Sequence, residues 1–108
     1  MVQSVRVRLD AVFAALSNAT RRAVLEALAE GSLPVSALAR SHRMSLSGFM
    51  KHLRVLESAG LLARSKEGRI VRCALTATPM QDAALWLAQY GRFWVARREQ
   101  VGRKRRAR

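Results

Sequence analysis

Apolar residues recur at helical spacing in two stretches near the start of the chain. In residues 9–16 and again in residues 21–30 they stand three or four positions apart, which predicts two amphipathic helices. Thr20 is a suitable N-cap for the second helix, and Gly31 is suited to end it. After a connector, "SLP", Ser36 is placed to cap a short third helix.

A fourth helix is predicted over residues 46–58, after a tight link at 42–44. Ser45 is its expected N-cap, and Gly60 is expected to end it. Its apolar residues follow one another at i, i+4 and i+7 and therefore share one face of the helix: Phe49, Leu53 and Leu56.

The period of the pattern then changes from that of a helix to that of a strand. Over residues 62–75 the side chains alternate in character on both sides of the sequence "EGR" at 67–69, which predicts a β-hairpin with a glycine turn and a charged tip. From Met80 to about Arg98 the apolar residues return to helical spacing, so a long final helix is expected.

The predicted order of elements is four helices, a β-hairpin and a fifth helix. This is a mainly α fold with a small β-hairpin, and 108 residues suit a single domain. Two short helices joined by a tight turn and followed by a hairpin are typical of a winged helix-turn-helix. The second helix of that pair, about 46–58, is the one that enters a DNA major groove, and the hairpin at about 62–75 is the wing.

The charge of the chain narrows the range of partners. Twenty Lys and Arg residues face seven Asp and Glu, a formal net charge of +13, which suits nucleic acid, an anionic membrane surface or an acidic protein. Residues 40–72 hold eight basic and two acidic residues, and residues 97–108 hold seven and one, a net charge of +6 in each zone. Residues 1–98 are expected to form the domain, and residues 99–108 a basic, disordered tail.

The face of the fourth helix opposite its apolar residues has an unusual composition. On a helical wheel it carries two serines and two cations, with Gly48 and Met50 at its flanks: Ser47, Lys51, Arg54 and Ser58. Small residues let a helix approach bases closely, Lys and Arg reach guanine or phosphate, and a methionine can lie against a thymine methyl group. The alternative is an ordinary solvated helix, although a glycine inside it costs up to ~1 kcal/mol relative to alanine.

Basic residues of the hairpin and turn extend the predicted DNA-binding set. The hairpin cations would reach flanking phosphate or the minor groove, or alternatively they protect an exposed strand edge by charge. His52 is expected to pack at the flank of its helix or to contact a phosphate. The complete predicted set is Arg43, Ser45, Ser47, Gly48, Met50, Lys51, His52, Arg54, Arg64, Lys66, Arg69 and Arg72.

Three segments carry a resemblance to a known family. "LDAVFAALSNATRRAVLEAL", "ALARSHRMSLSGFMKHLRVLESAGLL" and "KEGR" resemble the ArsR/SmtB winged helix-turn-helix repressors, over roughly residues 7–98. The resemblance implies a homodimer built from the first and last helices. Such a dimer would bind a palindromic double-stranded DNA operator and repress transcription until a signal releases the DNA.

The predicted final helix favours a homodimer independently of this resemblance. It carries more aromatic and apolar surface than a thin domain covers, and surplus of this kind is usual at interfaces, although the same residues could instead cap the core. The predicted interface combines residues of the first and last helices: Leu9, Val12, Phe13, Leu85, Trp86, Tyr90, Phe93 and Trp94.

The sequence departs from the family's metal-sensor pattern. It has one cysteine, Cys73, and its two histidines, His42 and His52, are too few for three or four converging ligands. No metal or cofactor is therefore expected, and an inducer, if the protein has one, is expected to be a non-metal cue. Cys73 is expected to be a small buried hydrophobe. Arg43 stands where the family usually has glycine, so either it bears left-handed strain of about 1–2 kcal/mol or the turn differs.

Other classes of function fit the sequence less well. No nucleophile–base set, carboxylate pair or phosphate loop suggests an enzyme. An RNA-binding or nonspecific nucleic-acid-binding protein would share the charge, but the sequence shows no aromatic platform for stacking single-stranded bases. No apolar run approaches the ~20 residues of a membrane span, and a single cysteine fits a reducing compartment, so a cytoplasmic location without membrane contact is expected.

Overall fold

The chain forms a bundle of helices with a small antiparallel sheet. The computed structural model describes the backbone of residues 2–94 and the side chains of residues 8–94. Within that range the helices are α1 (Val2–Leu16), α2 (Ala19–Leu28), α3 (Val35–Arg40), α4 (Leu46–Ser58) and α5 (Thr78–Ala88). The strands are β1 (Leu33–Pro34), β2 (Leu62–Glu67) and β3 (Ile70–Leu75). This order confirms the predicted winged helix-turn-helix fold.

The apolar face of α4 lies in the hydrophobic core. Phe49, Leu53 and Leu56 are at most 1 % exposed, which confirms the predicted face, and α4 packs with it against α1, α2 and β2. Val12 of α1 is also fully buried, together with Ala15 one turn later. The prediction that Val12 contributes to a dimer interface is therefore wrong, because its side of α1 faces the core of its own protomer.

Three helices begin at other residues than the sequence indicated. α1 starts seven residues before Leu9, at Val2. The N-cap of α2 is Asn18 rather than Thr20, because Oδ1 of Asn18 accepts the backbone N–H of Arg21 at 3.1 Å. α3 begins at Val35, with Pro34 as an N-cap that offers no side-chain hydrogen bond, so Ser36 lies inside the helix.

The sheet contains the predicted hairpin and one further strand. Its strand order is β1-β3-β2, with antiparallel pairing throughout. The segment expected to be a connector supplies β1, in which Leu33 and Pro34 pair with Cys73 and Arg72. The hairpin turn contains Gly68 with φ of 63°, a value that suits glycine at the first central position of a type II′ turn.

The last helix is shorter than the sequence indicated. α5 starts at Thr78 and ends at Ala88, and the chain is helical again over residues 91–94 after a turn. In that turn the N–H groups of Gln89 and Tyr90 donate to carbonyls three residues earlier, not four. Gly91, a poor helix former, follows directly. Residues 95–98 and the predicted tail at 99–108 lie outside the described residues.

The turn before α4 is relaxed at Arg43. Among the described residues positive φ values occur only at glycines, so the left-handed strain considered for Arg43 is wrong and the turn takes a different course. No helix within residues 2–94 is both long and apolar enough to cross a membrane.

Candidate nucleic-acid interface

Ser45 and Gly48 together set the start of α4. Oγ of Ser45 accepts the backbone N–H of Gly48 at 3.1 Å, which confirms the predicted N-cap. A Cβ atom at position 48 would stand 3.1 Å from that same oxygen, a tighter contact than side chains normally tolerate. Glycine at this position therefore leaves the cap undisturbed. It also adds no side chain to the first turn of the helix.

The face of α4 opposite the core is open to solvent. All four polar residues assigned to it from the helical wheel are exposed: Ser47, Lys51, Arg54 and Ser58. The ion pairs found among residues 8–94 join Arg8 to Asp82 and Arg64 to Glu57, so no carboxylate there neutralises Lys51 or Arg54. Two uncompensated cations therefore project from one helix face beside small residues.

His52 lies at the flank of this face and is tied to α2. Its Nδ1 is 3.0 Å from Nη1 of Arg21, and because a guanidinium only donates, Nδ1 must be the acceptor and the ring proton sits on Nε2. The same guanidinium donates to the carbonyl of Ala15 at 2.7 Å and to that of Ala14 at 3.0 Å. Arg21 thus joins α1, α2 and α4, a role that the sequence did not indicate, since its partner on α4 is 31 residues away.

Two apolar residues of α4, Met50 and Leu46, differ in exposure. Met50, predicted to contact thymine, is half-buried and packs against the core. Leu46, in the first turn of the helix, is 64 % exposed. Leu46 rather than Met50 therefore presents the larger apolar surface to solvent at the start of α4.

Arg64 of the wing is bound to α4 rather than free. Its Nη2 and Nε donate to the two carboxylate oxygens of Glu57 at 2.8 and 3.1 Å. The hydrogen bond from Arg64 lowers the pKa of the Glu57 carboxyl, and the same bond raises the pKa of Arg64. This pair fastens β2 to the end of α4. Because the Arg64 guanidinium is paired with Glu57, we do not assign Arg64 to DNA binding.

The remaining wing cations divide between two places. Lys66 and Arg69 are exposed near the tip of the hairpin, on either side of the glycine turn. Arg72 is half-exposed, and its guanidinium makes a long contact of 3.4 Å with the carbonyl of Ser32. Arg43 is exposed in the turn that precedes α4. Of the cations predicted to bind DNA, the exposed ones therefore lie on α4 (Lys51 and Arg54), in the turn before it (Arg43) and near the wing tip (Lys66 and Arg69).

An aromatic surface covers α5 and the chain after it. Leu85 is 69 % exposed, and the other predicted residues of this segment are between 42 % and 57 % exposed: Trp86, Tyr90, Phe93 and Trp94. On α1, Leu9 and Phe13 are half-buried, and the Phe13 ring meets Trp86 edge-on with centroids 5.9 Å apart. A cavity of about 530 Å³ opens between these helices beside Asp10. The cavity lining and the ring contacts of Trp86 thus bring four of the predicted interface residues together, and three more are exposed on α5 or in the chain after it. The first four are Leu9, Phe13, Trp86 and Tyr90, the other three are Leu85, Phe93 and Trp94, and we call all seven the aromatic patch.

Comparisons with known proteins agree with this architecture. Residues 16–64 match a family model described as a helix-turn-helix domain. The chain is 38% identical over 86 residues to the HTH-type transcriptional regulator Rv2034 of Mycobacterium tuberculosis, covering 80% of this chain and 78% of the relative. It is 27% identical over 82 residues to the transcriptional repressor SdpR of Bacillus subtilis, covering 76% and 91%. A crystal structure of an ArsR family transcriptional regulator superimposes with a TM-score of 0.76 and 39% identity, covering 82% of this chain and 92% of that one.

Proposed function

The chain belongs to the ArsR family of winged helix-turn-helix transcriptional regulators, and we propose that it represses transcription as a homodimer bound to a palindromic DNA operator. The observation that carries this proposal is the solvent-facing side of α4, where Lys51 and Arg54 stand uncompensated beside Ser47 and Gly48. A helix with small and basic residues on its free side can lie in the major groove with those side chains at base edges and phosphates.

We assign the contacts of α4 by their place on the helix. Ser47, Lys51 and Arg54 face base edges or phosphate, and Leu46 offers an apolar surface to a thymine methyl group. The Ser45 cap leaves the remaining N–H groups of the first turn directed outward, where phosphate is favoured. His52, with its proton on Nε2, can donate to a phosphate while Arg21 holds its other nitrogen.

The wing and the turn supply contacts to the DNA backbone. Lys66 and Arg69 project near the hairpin tip, and Arg43 flanks the start of α4. Arg72 is assigned a weaker part, because it is half-exposed and lies beside Ser32. Such contacts set affinity and orientation and read no sequence by themselves. The basic residues at 99–108 would add nonspecific affinity as an accessory arm.

We assign the aromatic patch of α1 and α5 to the contact between two protomers. Large exposed apolar surfaces on small domains are usually interfaces, and a two-fold symmetric contact would place two copies of α4 about one DNA turn apart. A dimer of this kind requires a palindromic site. Occupation of such a site next to a promoter would repress transcription, and the Bacillus subtilis relative is a transcriptional repressor.

A shift assay tests the proposal against its main alternative, a charge-driven RNA-binding or nonspecific nucleic-acid-binding protein. Duplex DNA from the region upstream of the protein's own gene is compared with shuffled duplex and with RNA of equal length, at one fixed salt concentration. Tight binding to a palindromic duplex alone supports the repressor. Equal binding to every polyanion contradicts it.

A further inference from the structure

A groove runs between α1 and α4, beside the face that we assign to DNA. Its volume is about 460 Å³, within the usual range of roughly 300–1,000 Å³ for small-molecule sites. Ala11 and Ala14 line it from α1, and Val55 lines it from α4. Because the α1 residues that line it within the described part of the chain are alanines, these side chains leave the space between the two helices unfilled.

The lining of this groove combines an apolar wall with a basic edge. Val55 is 40 % exposed although it is aliphatic, and it faces the two alanines across the groove. The polar lining consists of Lys51, Arg54 and Ser58, and among residues 8–94 no acidic residue takes part in it. A site with two cations, a hydroxyl and an apolar wall is complementary in charge to an amphipathic anion.

We propose that this groove binds a small organic carboxylate with an apolar body. The carboxylate engages Lys51 and Arg54, and the hydrocarbon lies against Ala14 and Val55. This inference rests on the proposed function, since the same two cations are there assigned to DNA. Ligand and operator therefore compete for Lys51 and Arg54, which makes the ligand a non-metal inducer that releases DNA.

Decanoate is the probe, at concentrations below its micelle threshold. Its binding to the full-length protein is measured by titration calorimetry, and its effect on the operator Kd by fluorescence anisotropy of labelled duplex. When free decanoate is ten times its own Kd, competition raises the operator Kd at least about tenfold. Acetate at equal ionic strength and decanol are the matched compounds. If either of them releases DNA as well as decanoate does, the effect is charge screening or apolar adsorption and the inference is wrong.

Substitutions that fill the apolar part of the groove test whether ligand binding can be lost while operator binding is kept. Ala14→Phe, and the milder Ala14→Leu, should abolish decanoate binding and leave the operator Kd within about twofold of wild type. Ala27→Phe, at an exposed position of α2 away from the groove, should behave as wild type toward both. If the filled variants stay folded and still bind decanoate, or if they lose operator affinity, the groove is not a separate ligand site. If the wild type binds operator but no decanoate, this inference fails alone, whereas absence of any operator binding overturns the proposed function.

Discussion

Nη1 of Arg21, on α2, lies 3.0 Å from Nδ1 of His52, on α4. The other two nitrogens of the same guanidinium donate to the carbonyls of Ala14 and Ala15 at the end of α1. α1 carries part of the proposed dimer surface, and α4 carries the proposed DNA-reading face. The Arg21 side chain therefore adds a hydrogen-bonded link between α1 and α4 to the packing of these helices in the core.

Replacing Arg21 should cost stability because three hydrogen bonds, two of them partly buried, disappear together. We expect Arg21→Ala to lower the free energy of unfolding by about 1–3 kcal/mol, measured by urea denaturation. Arg22→Ala is the matched control, since its guanidinium makes one exposed bond, to the carbonyl of Leu16. Equal losses in the two variants would mean that the Arg21 network contributes nothing specific. A double-mutant cycle with His52→Ala isolates the part that acts through α4.

The wing offers a test that separates a DNA contact from a structural ion pair. Arg69→Ala should reduce the magnitude of the salt dependence of DNA binding by about one unit, because one phosphate contact is lost. Arg64→Ala should leave that slope unchanged and lower stability instead, since it leaves Glu57 unpaired. The slope is obtained from the operator Kd at several salt concentrations. A similar reduction in both variants would show that Arg64 also contacts phosphate.

Cys73 predicts a pH dependence of stability in the alkaline range. Burial raises the pKa of its thiol above the ordinary value of 9.0, with a smaller opposing effect from Arg64. The native state therefore holds the proton more tightly than the unfolded chain, so its contribution to stability is complete below pH 9 and is lost as the pH rises further. Between pH 7 and pH 10 wild type should lose more unfolding free energy than Cys73→Ala. Parallel losses would show that other groups determine the alkaline behaviour.

The aromatic patch predicts the oligomeric state. Sedimentation velocity should give wild type a mass of twice the 12.0 kDa protomer, and Leu85→Glu should shift it to the monomer, because a charge would be desolvated in the interface. Operator affinity should fall with it. Ala27→Glu, which adds the same charge on α2, should remain a dimer. A monomeric wild type would remove the basis for a palindromic site.

Features that depend on nearby residues could be predicted from the sequence. The apolar face of α4 and its Ser45 cap follow from spacing and residue type within one short segment, and the structure confirms both. The hairpin follows from alternation around Gly68, which has the positive φ that its turn requires. Local periodicity and turn chemistry were sufficient for these elements.

Features that depend on distant partners could not be predicted in this way. Arg64 looks like any wing cation until β2 is seen to place it against Glu57. Arg21 looks like a surface residue of α2 until its guanidinium is seen to reach His52. Val12 fits an interface pattern as well as a core pattern, and only the packing of α1 on the rest of the protomer decides between them.

The central claim is that two protomers place Lys51 and Arg54 in successive major grooves of one duplex. Methylation interference tests it most directly, because dimethyl sulfate modifies guanine N7 in the major groove. Wild type should show two clusters of interfering guanines about 10 base pairs apart, related by the symmetry of the site. In Lys51→Ala or Arg54→Ala the matching guanines should cease to interfere, with operator affinity lower by about 1–3 kcal/mol. A single cluster, or a pattern that both variants leave unchanged, would contradict the account.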